Sequence, residues 1–266
     1  MNRNPYQQAH AKNGVRVMEQ QGTRLLLLGV YGMEMVECGG TLCKNARMGG
    51  VSHASILFAG EKMREGLDKA APILDCTIEY QGMNSATVSA NLEEKLQLVR
   101  CIRRFRPDII ITQDPAHSAE DLDPGRRPAM TLLLEAMALS GRDFVGDTTG
   151  LEPWGGFTVY FMTPEHPNCL VDISEVWQEK CAAMDALTYQ LEFIGELMEG
   201  SRRKPQYAML IPGFDELPDH LSIGTAAKRL QDQAYHLYYG STGHDDVFLS
   251  EAFRRSNKFV LDNLIK

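Results

Sequence analysis

The sequence predicts an α/β fold: a Rossmann-like three-layer sandwich whose mainly parallel sheet carries helices on both faces. Three observations carry that expectation. Strand-like apolar runs alternate along the chain with helix-like stretches, the pattern of βαβ units. Two of those runs, Leu25-Leu26-Leu27-Leu28 and Ile109-Ile110-Ile111, are apolar without alternation, as strands covered on both faces are. The first ends at Gly29 and is followed by a short loop and a Gly39-Gly40 pair that opens a helix. Such folds present functional groups at the carboxyl end of the first strand in this way.

The elements follow in order. Leu25–Gly29 reads as the first strand and Gly39–Met48 as the helix after it; Val51–Ala59 is the second strand, Lys62–Leu74 a helix and Thr77–Gln81 a short third strand. Leu92–Arg106 has strong helical periodicity, and Pro107-Asp108 stops it and launches the central strand Ile109–Thr112. A polar loop covers Gln113 to Arg127, and a helix runs on through Leu139. An aromatic strand, Phe157–Met162, and a strand at Leu170–Ile173 come next, with Ser174 as N-cap of a helix reaching about Met198. Gly200 to Ile223, with Pro205, Pro212, Gly213 and Pro218, reads as the least structured stretch. Its apolar Met209, Leu210, Ile211 and Phe214 among polar neighbours mark a lid over the pocket or an interface in a homo-oligomer, the alternative being an ordinary surface excursion. Two helices, near Thr225–Tyr239 and Leu249–Ile265, close the chain.

A length of 266 residues with 44% hydrophobic content supports one domain, 24–266, behind a polar N-terminal extension, 1–23. The formal charge of −8 argues against a nucleic-acid partner, which needs clustered Lys and Arg. The basic runs Arg100–Arg106 and Ser201–Lys204 read as solvated faces. Met1 to Thr23 lacks the apolar core of a signal peptide, and no stretch approaches the roughly 18 apolar residues of a membrane span, so no membrane association and a cytoplasmic location are expected. Six cysteines without Cys-x-x-Cys spacing read mostly as reduced core residues.

Several pieces in order resemble the LmbE/PIG-L superfamily of zinc-dependent de-N-acetylases that act on GlcNAc-containing substrates. They are Leu25–Gly29 with Cys38-Gly39-Gly40-Thr41-Leu42, Phe58–Glu61, Ala70–Leu74, Ile102–Ile110, Val171–Ser174 leading to Lys180–Met184, Gln190, and Ser250–Phe253. The resemblance spans about Arg24 to Phe253 and implies the LmbE-like deacetylase fold. In that family an Ala-His-Pro-Asp-Asp string precedes the Gly-Gly pair, its His and second Asp binding zinc and its first Asp serving as general base. Counted back from Gly39-Gly40 without a gap, those roles fall on Val30, Met33 and Gly32; a one-residue slip offers Tyr31, Met33 and Glu34, with at most one carboxylate restored. The family's His-Pro-Asp-His-Arg string corresponds to Asp123-Pro124-Gly125-Arg126-Arg127, which puts Arg126 at the third zinc ligand. A further family histidine falls on Leu187. Valine, glycine and arginine offer zinc no donor, and a thioether suits hydrolytic zinc poorly, so no zinc cofactor is expected.

Other chemistries find little support. None of the seven histidines is paired at i, i+4. His117 with Glu34 or Glu37 is a candidate rearranged site or a solvated loop residue, and His244-Asp245-Asp246 reads first as a surface or capping feature. There is no Gly-x-Ser-x-Gly elbow and no Gly-x-Gly-x-x-Gly fingerprint, and Cys38, although at a helix start, has no histidine tied to it by motif. The expected function is a non-catalytic, pseudoenzyme-like protein that binds a small polar or sugar-like ligand or acts in assembly. The alternative is a hydrolase removing N-acetyl groups from a GlcNAc-type substrate through a rearranged site. Candidate pocket residues are Tyr31, Glu34, Glu37, His117, Asp123 and Arg126, with the Arg126 guanidinium in the metal's place, partnered by Glu34, Glu37 or Asp123.

Overall fold

A computed structural model describes residues 22–242 and 246–260. Its elements are β1 (Arg24–Tyr31), α1 (Met33–Glu37), α2 (Gly39–Arg47), β2 (Val51–Phe58), α3 (Glu61–Ile73), β3 (Cys76–Tyr80), α4 (Leu92–Phe105), β4 (Ile109–Gln113) and α5 (Pro115–Glu120). There follow α6 (Arg126–Ser140), β5 (Thr158–Met162), β6 (Cys169–Asp172), α7 (Trp177–Asp185), α8 (Thr188–Glu199), α9 (Lys204–Leu210), α10 (His220–Ser241) and β7 (Ser250–Arg255). The strands form one seven-stranded sheet in the order β3-β2-β1-β4-β5-β7-β6. The first five of these are mutually parallel, and β7 runs antiparallel to both β5 and β6.

The leucine run of β1 explains the layering. Leu25 and Leu27 pack into a core with residues of α2, α3 and α7, while Leu26, Leu28 and Val30 pack into a second core with residues of α4 and α6. A strand buried on both faces needs apolar residues at every position, hence the absence of alternation. Chain direction reverses its order of addition between β1 and β4: β2 and β3 extend one way, β4 and β5 the other. In sheets of this kind a ligand crevice forms at such a switch point, which here lies at the carboxyl ends of β1 and β4. Asn91 and Glu94 form a capping box at the start of α4, and Arg106 ends it in the left-handed region (φ 55°) just before Pro107. No helix among the described residues is long and apolar enough to cross a membrane.

Several expectations are corrected. The stretch Leu249–Ile265 is a strand, β7, through Arg255, and residues 261–266 lie outside the described residues. Antiparallel pairing with β5 and β6 and the burial of Glu251 override its local helical pattern. The helix expected from Ser174 to Met198 is a 3-10 turn (Ser174–Val176) followed by α7 and α8. The break accommodates α3: a Cβ on Gly66 would lie 2.9 Å from the Ala186 carbonyl oxygen. Ser174 is no N-cap, since its hydroxyl donates to Asp172 Oδ1 at 2.7 Å. The Gln113–Arg127 loop holds α5, and the Gly200–Ile223 stretch holds α9, a 3-10 turn (Phe214–Glu216) and the first turn of α10. Phe214 is buried there in a small core with Met198, Ile223 and Ala227. The Arg100–Arg106 run is only partly solvated. Arg103 is buried and donates to Ser140 O, Asp147 Oδ2, Thr149 Oγ1, Leu151 O and Arg142 O, tying down the loop after α6. Of the polar extension 1–23, residues 1–21 lie outside the described residues, as do His244 and Asp245.

Candidate functional site

Glu34 organises the carboxyl end of β1. It stands in the first turn of α1 and folds back so that its Oε2 accepts the Val30 N–H at 2.7 Å. Its Oε1 accepts from Arg126 Nη1 at 2.9 Å. Arg126 is the first residue of α6, so β4 and the loop behind it deliver its guanidinium to the crevice. The same Nη1 donates to Gln113 Oε1 at 2.6 Å from the last position of β4, and Nε lies 2.9 Å from Asp121 Oδ2. The guanidinium carbon stands 4.9 Å from the centre of the Tyr31 ring, a cation–π contact. Tyr31 in turn donates its hydroxyl proton to Asp123 Oδ2 at 2.6 Å, and Asp123 Oδ1 accepts the Gly125 N–H at 2.8 Å, which shapes the turn into α6.

The electrostatics follow from burial. Glu34 is 4% exposed, and burial pushes its carboxyl up to about 7; Arg126 opposes that rise, and the charge of Glu37 adds to it. Burial and then the Asp123 carboxylate push the Tyr31 hydroxyl up to about 12, so it remains a neutral donor. Arg126 Nη2 has no hydrogen-bond partner among the described residues, and the side chain is 20% exposed. One face of a fully ionised fork is therefore available to an acceptor.

The structure brings together Tyr31, Glu34, Asp123 and Arg126, with Asp123 reaching Arg126 through Tyr31 rather than directly. It does not bring Glu37 into that network, and His117 meets it only at its edge, through Asp121. Glu37 turns to α10 and lies 3.5 Å from Lys228 Nζ. His117 is half-exposed on α5, 3.9 Å from Asp121 Oδ2. Gln113 and Asp121, both partners of Arg126, were missed by sequence reasoning. The signal for Gln113 was its place at the end of the central strand; Asp121 had none beyond a polar loop. No residue of 200–223 is among the hydrogen-bond or ion-pair partners of Arg126. Cys38 is buried and donates to the Glu34 carbonyl at 3.2 Å; burial, then the charge of Glu251, raises its thiol well above the ordinary range, which opposes nucleophilic use.

The residues do not fit the zinc that the family resemblance implies. Val30 is packed in the core beside α4 and α6. At Gly32, the position the resemblance assigns to the general base, a side chain would have to push Leu67 and Met63 aside, because a Cβ there would lie 2.4 Å from Leu67 Cδ1 and 3.0 Å from Met63 Sδ. At the third ligand position stands a cation. No group of three or more His, Cys, Asp or Glu side chains among the described residues is placed to hold a metal ion.

No protein-family model matches the chain, and no curated protein matches it. Solved structures do. The chain superposes on the 4-carboxy-2-hydroxymuconate hydratase GalB from Pseudomonas putida with a TM-score of 0.63 at 20% identity, covering 91% of this chain and 99% of that one. For the N,N'-diacetylchitobiose deacetylase from Pyrococcus horikoshii the TM-score is 0.65 at 18% identity, with 88% and 84% covered. The A40926 pseudoaglycone deacetylase Dbv21 gives 0.56 at 13% identity, with 87% and 96% covered. The fold is that of the LmbE-like deacetylases. At these identities the likeness extends to architecture alone, and an LmbE-like fold does not dictate a reaction. One of the three neighbours is a hydratase by name and two are deacetylases.

Proposed function

We propose that this LmbE-like protein binds a small polar or sugar-like ligand bearing a carboxylate or carbonyl, and that it is not a zinc deacetylase. The observation behind this reading is Arg126: a guanidinium held by Glu34, Gln113, Asp121 and Tyr31, with Nη2 left over, at the crevice where such sheets bind ligands. A guanidinium supplies positive charge and directed donors without Lewis acidity, so it anchors an anion or polarised carbonyl but activates no water as a metal does.

The reading is tested by metal analysis of native protein together with titration by glucuronate, N-acetylglucosamine and glucosamine. Expected are substoichiometric zinc, saturable binding of glucuronate that is lost in Arg126→Met, weaker binding of the neutral sugar, and no acetate release. Stoichiometric zinc held by side chains in the crevice would overturn it. A second reading, N-acetyl hydrolysis through a rearranged site, is favoured by one observation: a buried carboxyl poised at about 7 beside a cation is tuned for proton transfer at neutral pH. Against it, both Glu34 oxygens are occupied by Val30 N–H and Arg126. Acetate release abolished by Glu34→Gln would establish the second reading and remove the first.

A further inference from the structure

Across α1 from Arg126 lies a cavity of about 200 Å³ that the function proposed above does not use. It is bounded by the α1–α2 junction, the end of β5, β7 and α10. Its apolar walls include Met162, Phe253 and the Tyr235 ring, and its polar groups include Glu37, Lys228, Asp232 and His236.

The polar groups have a definite sense. His236 is 3% exposed, and its Nδ1 lies 2.8 Å from the Ser250 carbonyl oxygen. A carbonyl only accepts, so Nδ1 carries the proton and Nε2 keeps its lone pair. Burial, then the charge of Lys180, pushes this imidazole down to about 4, so it is neutral near pH 7. Among the described residues Nε2 has no hydrogen-bond partner. Lys228 Nζ is bound to Asp232 at 2.9 Å and lies 3.5 Å from Glu37. Glu251, also at the wall, is fully engaged. Its oxygens accept from Lys180 Nζ and from the N–H groups of Gly40 and Thr41, each at 2.8 Å. Counting Glu37, Asp232 and Glu251 against Lys228 and Lys180 leaves one negative charge in excess. The group least satisfied is Glu37, whose side chain is 30% exposed.

The cavity thus offers acceptors, an excess negative charge and aromatic faces, in a space too large for one or two waters and suited to a single ring. We propose that it is a second binding site, distinct from the Arg126 network and of opposite charge preference, for a one-ring molecule carrying a protonated amine. The ammonium is held by Glu37 and His236 Nε2, and the ring lies against Met162 and Phe253. An anionic ligand is excluded by the same charges that favour the amine.

Benzylamine, benzyl alcohol and benzoate share one shape and differ in charge, and they are the probes. Titrations of the full-length protein by calorimetry, with nitrogen-15 shifts of the histidine rings read in parallel, are expected to show one-to-one saturable binding of benzylamine. Benzyl alcohol should bind about tenfold more weakly and benzoate not at all. The His236 Nε2 resonance should move on saturation. Glu37→Gln, a change at a half-exposed position, should weaken benzylamine about tenfold, while Arg126→Met leaves it unchanged. The proposal is overturned by non-saturable benzylamine binding, by benzoate binding as tightly as the amine, by an unmoved His236 resonance, or by loss of benzylamine binding in Arg126→Met. That last result would place the amine in the crevice and also contradict the ligand class proposed there; loss of glucuronate binding alone touches only the crevice.

Discussion

Replacing Arg126 by methionine probes whether a cation holds the crevice together, and its cost can be worked from the contacts. The change removes the Nη1 bond to Gln113, leaving that buried amide oxygen without a donor, at about 1–3 kcal/mol. It removes the contact with the Tyr31 ring, worth about 0.5–1 kcal/mol at a partly exposed site. The ion pair with Glu34 depends on pH. Because the Glu34 carboxyl stands at about 7 in the folded protein against an ordinary 4.5, its contribution to stability is complete below the ordinary value and is lost as pH rises through 7. Arg126 is the largest influence opposing that rise, so its removal pushes the carboxyl higher still, and the mutant goes on losing stability above pH 7 where the wild type levels off. Near pH 5 Glu34 is neutral in both proteins, and the deficit should be about 1.5–4 kcal/mol. Between about pH 7 and 8.5 it should widen, by no more than about 1.4 kcal/mol per pH unit. Urea denaturation at a series of pH values measures this directly. A deficit independent of pH, or a mutant as stable as wild type at pH 8.5, would refute the arrangement of Glu34 and Arg126 described here.

Two further substitutions test the scaffold around the site. Gly32→Asp, which places a carboxylate where the family carries its general base, should cost about 1–3 kcal/mol by forcing Leu67 and Met63 aside, with no gain of acetate release; unchanged thermal stability would show that the position has room. Lys180→Met should cost about 3–5 kcal/mol in urea titrations by leaving Glu251 buried without its cation, and Glu251→Gln in the same chain should recover part of the loss; additive costs would show that the two do not act as a pair.

The sheet was legible because its central strands are buried on both faces, which leaves an uninterrupted apolar signature at Leu25–Leu28 and Ile109–Ile111. The strand β7 was not. Ser250-Glu251-Ala252-Phe253 carries a charged residue whose burial is made possible by partners far away in sequence, Lys180 and the amino end of α2, and local patterning has no access to those. Gly40 belongs to the same arrangement, since a Cβ there would lie 2.9 Å from Glu251 Oε1. In the crevice, Glu34 and Arg126 were legible through the family resemblance, which sets them at or beside the positions of the zinc ligands. The divergence of Glu34 and Glu37 was not: three residues apart on a helix they are neighbours, yet α1 is five residues long, and its two ends answer to different surroundings. Glu34 caps back onto β1, and Glu37 is drawn to Lys228.

The need for a cation at position 126 follows from Glu34 rather than from any metal chemistry. Its Oε2 satisfies the N–H of Val30, a buried backbone donor at the end of β1 that no strand partner takes up. A carboxylate that deep is expensive unless a positive group stands beside it, and an apolar residue at 126 would leave Glu34 to protonate and the Gln113 amide oxygen without a donor. Arginine answers both, because its fork reaches Glu34 and Gln113 from one nitrogen and Asp121 from another, where a lysine ammonium would have to choose. The crevice therefore keeps a positive centre for structural reasons, and the nitrogen left over is what makes that centre available to a ligand.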